Sequence, residues 1–331
     1  MTLKLSVLDQ SVSVAGSTED AAIRDTLDLA QHCERLGYER FWVSEHHGLP
    51  TIIGSAPEIL MAAIAARTTR IRIGSAGVML PHYSALKVAE QFRVLEALAP
   101  GRIDLGVGRA PGGDMRTARA LNPNAHAAAD AFPEQVRDLQ AWTSLPSHEG
   151  IAAHPYGPHA PEVWILGSSN YGAQLAAHFG LPYAYAYFFV DGQGAEEALA
   201  LYRRLYKPSE RHPEPHATVC VWALAAETDA MAEHAALVRE RWRIDRERGI
   251  LGPLQDPDEI AARGFSASEM PTIENMRRKA FVGSAKTVGA KLRALARELQ
   301  LSEIVINTWA HSPAVRRTSY ALIAQEFGLN G

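Results

Sequence analysis

Cysteine is nearly absent: a chain of 331 residues holds only Cys33 and Cys220, far apart and outside any metal-ligand spacing. That excludes a disulfide framework, offers no zinc or other metal site, and lets both thiols read as core residues. Positive charge is not in surplus either. With a formal net charge of -4 and arginines scattered rather than striped, the chain lacks the electrostatic footprint of a nucleic-acid binder. No apolar run reaches the roughly 18 residues of a membrane span, and the opening MTLKLSVLDQ reads as a short charged strand rather than a secretion signal. A cytoplasmic protein is expected. Repeats and low-complexity tracts are missing, and the glycines after the first strand do not spell a dinucleotide fingerprint.

What is present is a composition of 47% hydrophobic and 21% charged residues, enough to bury a large core. Apolar periodicity alternates between strand and helix along the whole chain. Strands are expected at 3–8, 40–44, 71–75, 103–107, 163–166, 182–189, 218–224 and 303–307, each followed by helical pattern. Thr18 stands where an N-cap belongs, Gly37 where that helix must end, and Ser84 where another opens. Residues 110–124 hold no strong period and read as a loop over the site, while 249–271, rich in Gly, Pro and acidic residues, reads as an insertion. Eight βα units at parallel-sheet spacing predict a (β/α)8 TIM barrel, α/β in class, with insertions at its C-terminal face and one domain over 1–331.

The chain is organised around residues 71–114, a strand–helix–strand unit whose strands end in small residues, Ser75-Ala76-Gly77 and Gly106-Val107-Gly108-Arg109. A flat or anionic ligand can approach such backbone closely. Taken alone, the first of these is more often an ordinary strand-to-loop turn, and an arginine such as Arg109 more often a surface ion pair. Ser168, Ser169, Asn170 and Gly172 make a polar, small-residue helix start that suits a phosphate, although N-capping accounts for one serine. In Glu45-His46-His47, neighbouring side chains on a strand point to opposite faces, which disfavours chelation of one metal by both histidines. His46 is a candidate for proton exchange near neutral pH, or a histidine hydrogen-bonded inside the barrel. His311 is a weaker candidate, and Asp9 and Gln10 are pocket or cap residues. Tyr187-Phe188, in PYAYAYFF, form an aromatic wall or core filling.

The segments RFWVSEHH, GSAGVMLP, LAPGRIDLGVGRAPG, VWILGSS, VGSAKTVGAKLRALARE and SEIVINTWAH, in this order over nearly the whole chain, resemble the bacterial luciferase-like flavin monooxygenases. The resemblance implies a luciferase-like barrel with flavin mononucleotide (FMN) at its C-terminal face. It also implies oxygen-dependent chemistry on a small, largely apolar organic substrate, such as a carbonyl compound. It places a non-proline cis peptide at Ala76-Gly77 beneath the flavin ring, the phosphate at Arg109, Ser168, Ser169 and Gly172, and the active-site histidine at His46. A separate flavin reductase is implied as the source of reduced FMN. So is a homodimer through the helices after the second and third strands, where 57–67 is rich in alanine and poor in charge. The chain departs from the subgroup at Tyr187-Phe188, where a histidine pair is common, which leaves the substrate open. A deazaflavin-dependent dehydrogenase and a non-catalytic flavin-binding protein are the alternative readings.

Overall fold

The computed structural model describes residues 3–110 and 113–331. Its strands are β1 (Lys4–Asp9), β2 (Arg40–Val43), β3 (Arg72–Met79), β4 (Ile103–Gly108), β5 (Glu162–Gly167), β6 (Tyr183–Tyr185), β7 (Ala217–Ala226), β8 (Phe281–Ser284) and β9 (Glu303–Asn307). All pair in parallel. Eight of them run in the order β6-β5-β4-β3-β2-β1-β9-β7, and a β6–β7 pairing closes the ring into the expected (β/α)8 barrel.

Alternation along the strands separates two apolar layers. Val7, Phe41, Ile73, Leu105, Ile165 and Ile306 face outward into one cluster with helix residues such as Leu29, Ile64 and Phe92. Their neighbours Leu8, Trp42, Trp164, Ala184, Cys220 and Val305 face inward and fill the barrel. Parallel strands covered on both sides must be apolar on both, which is why β2 and β7 are buried at every residue.

One turn of side chains lower, at the N-terminal ends of the strands, the inward layer becomes ionic. Arg40 donates to Asp104 (2.9 Å), Glu162 (3.0 Å) and Glu303 (3.0 Å), and Arg72 also pairs with Asp104. Trp42 and Trp164 hang their indole N–H groups on this layer, donating to Asp104 (2.9 Å) and Glu162 (3.0 Å). Burial works to raise the Glu162 and Glu303 carboxyls. Arg40 with Arg72 for the first, and His216 with Arg40 for the second, overcome it and hold each at about 2.

Several local expectations change in detail. Gly37, at φ 84°, closes the helix Glu19–Leu36 by donating to the Cys33 and Glu34 carbonyls, but the Thr18 hydroxyl at its start makes no capping bond. Ser84 does cap, accepting from Lys87 N–H. The loop expected over 110–124 contains a helix, Met115–Leu121, held open at its start by Asp114 accepting from Thr117 N–H at 2.7 Å. The helix expected from 127 to 142 is two helices, Ala125–Asp130 and Phe132–Ser144, because Pro133 has no N–H to continue the first. Within the stretch read as an insertion lie the helix Pro257–Arg263 and the start of Met270–Lys279. β8 was not expected. It lies outside the barrel, pairing Phe281–Ser284 with the last four residues of β7.

Candidate active site

The small-residue end of β3 departs from regular geometry. The Ala76-Gly77 peptide is cis, and the register against β4 shifts between Ala76 and Val78. No side chain fits here. A Cβ on Gly77 would lie 2.3 Å from Leu166 Cδ1 and 2.7 Å from the Gly106 carbonyl, and one on Gly106 would lie 2.2 Å from the Ser75 carbonyl. Ser75 Oγ donates to the Gly106 carbonyl at 2.9 Å and ties the bulge to the neighbouring strand. The result is a floor of bare backbone at the C-terminal rim, where TIM barrels place their sites.

Above it lie two adjoining cavities of about 350 and 360 Å³, which share Gln10, His46, Met79, Ala110, Phe188 and Phe189 as a common wall. The first is lined by His46, Ala76, Gly77, Arg109, Ser168, Ser169 and Gly172 together, so all seven candidate residues converge on it, and His46 borders the second cavity as well. Ser169 takes the N-cap position of the helix Asn170–Phe179, yet its hydroxyl makes no capping bond, so the N–H groups of the first turn remain open. Arg109 stacks on the Tyr171 ring at 4.1 Å and has no carboxylate partner among the described residues. Asn170, by contrast, is turned away and donates to Glu197 at 2.7 Å.

β2 ends at Val43, so the Glu45-His46-His47 run lies beyond the strand expected to carry it, yet its side chains still divide between two sides. Glu45 is buried and accepts from His47 Nε2 (2.7 Å), Tyr83 Oη (2.6 Å) and Met79 N–H (2.9 Å), which braces the rim of β3. His46 alone faces the cavities. Ser44 Oγ lies 3.1 Å from its Nδ1, leaving Nε2 without a protein partner among the described residues. Burial, with the nearby charges of His47 and Arg246, pulls its pKa down to about 4 against the opposing pull of Glu45. The expectation of proton exchange near neutral pH is thereby changed: the ring is a neutral imidazole there, with Nε2 open to a hydrogen bond.

Other candidates fall elsewhere. Asp9 is buried against Arg316 at 2.8 Å beneath the site. His311 lines neither cavity and stands 3.1 Å from the Ala15 carbonyl. Gln10 does line both, its Oε1 accepting from Asn307 Nδ2 (2.6 Å) and Trp309 Nε1 (3.1 Å). Cys33 is a core thiol as expected, whereas Cys220 also borders the first cavity, where burial pushes its thiol up and leaves it inert. The aromatic wall is shifted by one residue from Tyr187-Phe188 to Phe188-Phe189. β6 stops at Tyr185, and the turn that follows sends Tyr187 toward the core.

Composition and periodicity did not single out the residues of the second cavity: Trp222, Arg239, Trp242, Arg243, Arg246 and Trp309. The one available signal was the spacing of the three arginines, which puts them on one face of the helix Asp229–Glu247.

This geometry agrees with what the chain resembles. The family model for luciferase-like monooxygenases matches residues 3–302. A luciferase-like monooxygenase of Escherichia coli strain K12 is 38% identical over 323 residues, covering 97% of this chain and 96% of that one. The crystal structure of apo-MsnO8 superposes with a TM-score of 0.92 at 35% identity, over 99% of both chains. The oxygenating constituent of 3,6-diketocamphane monooxygenase from Pseudomonas putida, in complex with FMN, shares the fold with a TM-score of 0.72 at 19% identity, over 99% of this chain and 98% of that one. The chain belongs to the luciferase-like monooxygenases. It is an oxidoreductase enzyme of that family, and no helix among the described residues is long and apolar enough to cross a membrane.

Proposed function

We propose that this enzyme uses reduced FMN and molecular oxygen to oxidise a small organic substrate. The observation that carries the reading is the first cavity itself: a bare-backbone floor at one side, and at the other a guanidinium, an uncommitted serine and an open helix start. These suit a flat ring and a phosphate dianion respectively. Arg109, Ser168, Ser169 and Gly172 would hold the phosphate, and Ala76-Gly77 would lie under the ring. Reduced flavin, when bound, supplies two electrons, so that one atom of dioxygen enters the substrate and the other leaves as water. The chain's own part is to hold the phosphate, to exclude water through Phe188, Phe189 and Trp42, and to accept a proton or hydrogen bond at His46 Nε2. A separate reductase supplies the reduced flavin in this reading.

Assembly is part of the proposal. Ile59, Val94 and Leu98 are 66%, 47% and 61% exposed on the adjacent helices Pro57–Ala65 and Ala85–Leu98, which supports a homodimer through these faces. Ala62→Glu would then shift sedimentation toward monomer.

The test is a titration with FMN, riboflavin and a deazaflavin, followed by oxygen uptake with reduced FMN and candidate carbonyl compounds. FMN is expected to bind most tightly, and oxygen uptake is expected to rise with substrate. Preference for the deazaflavin with hydride transfer that needs no oxygen would make the enzyme a dehydrogenase. Tight FMN binding without turnover would make it a carrier.

A further inference from the structure

The second cavity has a charge that the flavin reading does not use. Among its described lining residues are Arg239, Arg243 and Arg246, and no aspartate or glutamate. Behind the wall a single acid, Asp191, serves two of them: it pairs with Arg243 at 2.8 Å and stands 3.7 Å from Arg239. Arg246 has no carboxylate partner among the described residues and is flanked instead by the rings of Trp242 (5.4 Å) and Phe189 (5.6 Å). Three guanidinium groups against Asp191, with Glu240 a further charge acting on Arg239, leave an excess of positive charge beside an apolar chamber. Burial, then the neighbouring Arg243, pulls Arg239 down to about 10 against the pull of Asp191, and it remains charged at neutral pH.

This charge is separate from the one assigned to the flavin phosphate. Arg109, Ser168, Ser169 and Gly172 line only the first cavity, and the three arginines line only the second. The remaining surface of the second cavity is largely apolar, with Trp242 and Trp309 packed edge to face at 4.7 Å and Leu251 beside them. An unpaired cation at the mouth of such a wall leaves its charge free for an anionic occupant and favours an acid over a neutral molecule of the same shape.

We propose that the second cavity is the substrate chamber and that its substrate is an organic acid, with an apolar body against Trp242, Trp309 and Phe188 and a carboxylate or sulfonate paired to Arg246 and Arg243. The inference rests on the reading of the first cavity as the flavin site. It narrows the substrate from small apolar compounds at large to those that carry one anionic oxygen group at the end remote from the reacting atom.

The test uses matched probes on FMN-saturated protein, followed by calorimetry: aliphatic acids of four to ten carbons, phenylacetate, octane-1-sulfonate, and the corresponding primary amides. At least one acid is expected to bind about tenfold or more tightly than its amide, as a charge-assisted hydrogen bond allows. Arg246→Met is expected to remove that preference while leaving FMN affinity within about twofold. Arg246 is exposed and unpaired, so this variant keeps its fold; Arg243→Met, which strands Asp191, is the second. The carboxylate and sulfonate arms show which anion the chamber prefers. Equal binding of acids and amides, no binding of any acid at millimolar concentration, or a preference that survives both variants would overturn the proposal. So would a large loss of FMN affinity in Arg246→Met, since the arginines would then serve the flavin phosphate. If wild type binds no FMN, the flavin reading fails separately. The same titrations, read by quenching of Trp242 and Trp309 fluorescence in flavin-free protein, still decide whether the chamber selects acids.

Discussion

The two ends of the barrel handle arginine in opposite ways. At the N-terminal end, Arg40 is surrounded by three carboxylates and Arg72 shares one of them, so both guanidinium groups are paired. At the C-terminal end Arg243 is paired with Asp191, but Arg109 and Arg246 have only aromatic faces for company among the described residues. The tryptophans between the two ends belong to both. Trp42 borders the first cavity and anchors its indole on Asp104 below. The difference separates a structural charge, which satisfies its neighbours and excludes ligands, from one that stacking holds and leaves open, as the proposed phosphate and substrate roles require. Within one fold, the sign and number of arginines say little, whereas the presence of a counter-charge says much.

The comparison breaks most visibly at Arg40. Arg40→Met leaves Asp104, Glu162 and Glu303 buried without their shared cation, and unfolding free energy measured in urea is expected to fall by about 3–5 kcal/mol. A fall below 1 kcal/mol, about the value of an exposed ion pair, would show that this end is not the load it is described to be. His46→Ala acts only at the other end: turnover is expected to drop about 100-fold with FMN affinity within a few-fold of wild type. The wild-type pH-rate profile is expected to carry no His46 inflection near 6.5, only one near 4. Arg109→Ala is expected to weaken FMN by about 10- to 100-fold and riboflavin much less, with unfolding midpoints unchanged, since only FMN carries the phosphate. Equal losses for the two ligands would remove Arg109 from the phosphate.

The smallest effect sharpens the contrast through pH. Glu162 and Glu303 have pKa values held at about 2 in the folded state, below the ordinary 4.5. Folded carboxyls of depressed pKa add stability above the unfolded value, and lose it as the unfolded chain takes up protons first. Unfolding midpoints are therefore expected to be flat above pH 4.5 for these groups and to decline from there toward pH 2. Glu303→Gln should flatten that decline in a thermal scan at stepped pH.

The first cavity was legible because its residues sit in short local motifs. Ala76-Gly77 ends one strand, Arg109 follows another, and Ser168, Ser169 and Gly172 open one helix, so strand-end logic and the family resemblance find them together. The second cavity was not legible in this way. Gln10, at the end of the first strand, was a pocket candidate, but Thr51, Trp222, Arg246 and Trp309 come from four distant parts of the chain, and each looks like ordinary core or surface until the barrel closes. Two strand readings failed for local reasons. PYAYAYFF has strand composition throughout, but after the last ladder bond, from Ala186 N–H to Gly167, the Tyr187 N–H donates to the Tyr185 carbonyl and the Phe189 N–H to that of Ala186, which bends the chain. β8 has only four residues, FVGS, and gives no period to read.

The length of β7 carries a further consequence. Through Trp222 it is barrel wall, paired first with β6 and then with β9; from Ala223 to Ala226 it leaves the ring and pairs with β8, while Thr308 Oγ1 donates to the Ala223 carbonyl (2.7 Å) and the Ala225 N–H donates to Ser319 Oγ (2.9 Å). The helix Asp229–Glu247, which carries the arginines of the second cavity, starts from this overhang. With the second cavity as the proposed substrate chamber, barrel closure and substrate selection become separable engineering problems in this chain. A graft that exchanges residues 223–284 would alter which molecules enter while leaving the ring and its ionic base untouched.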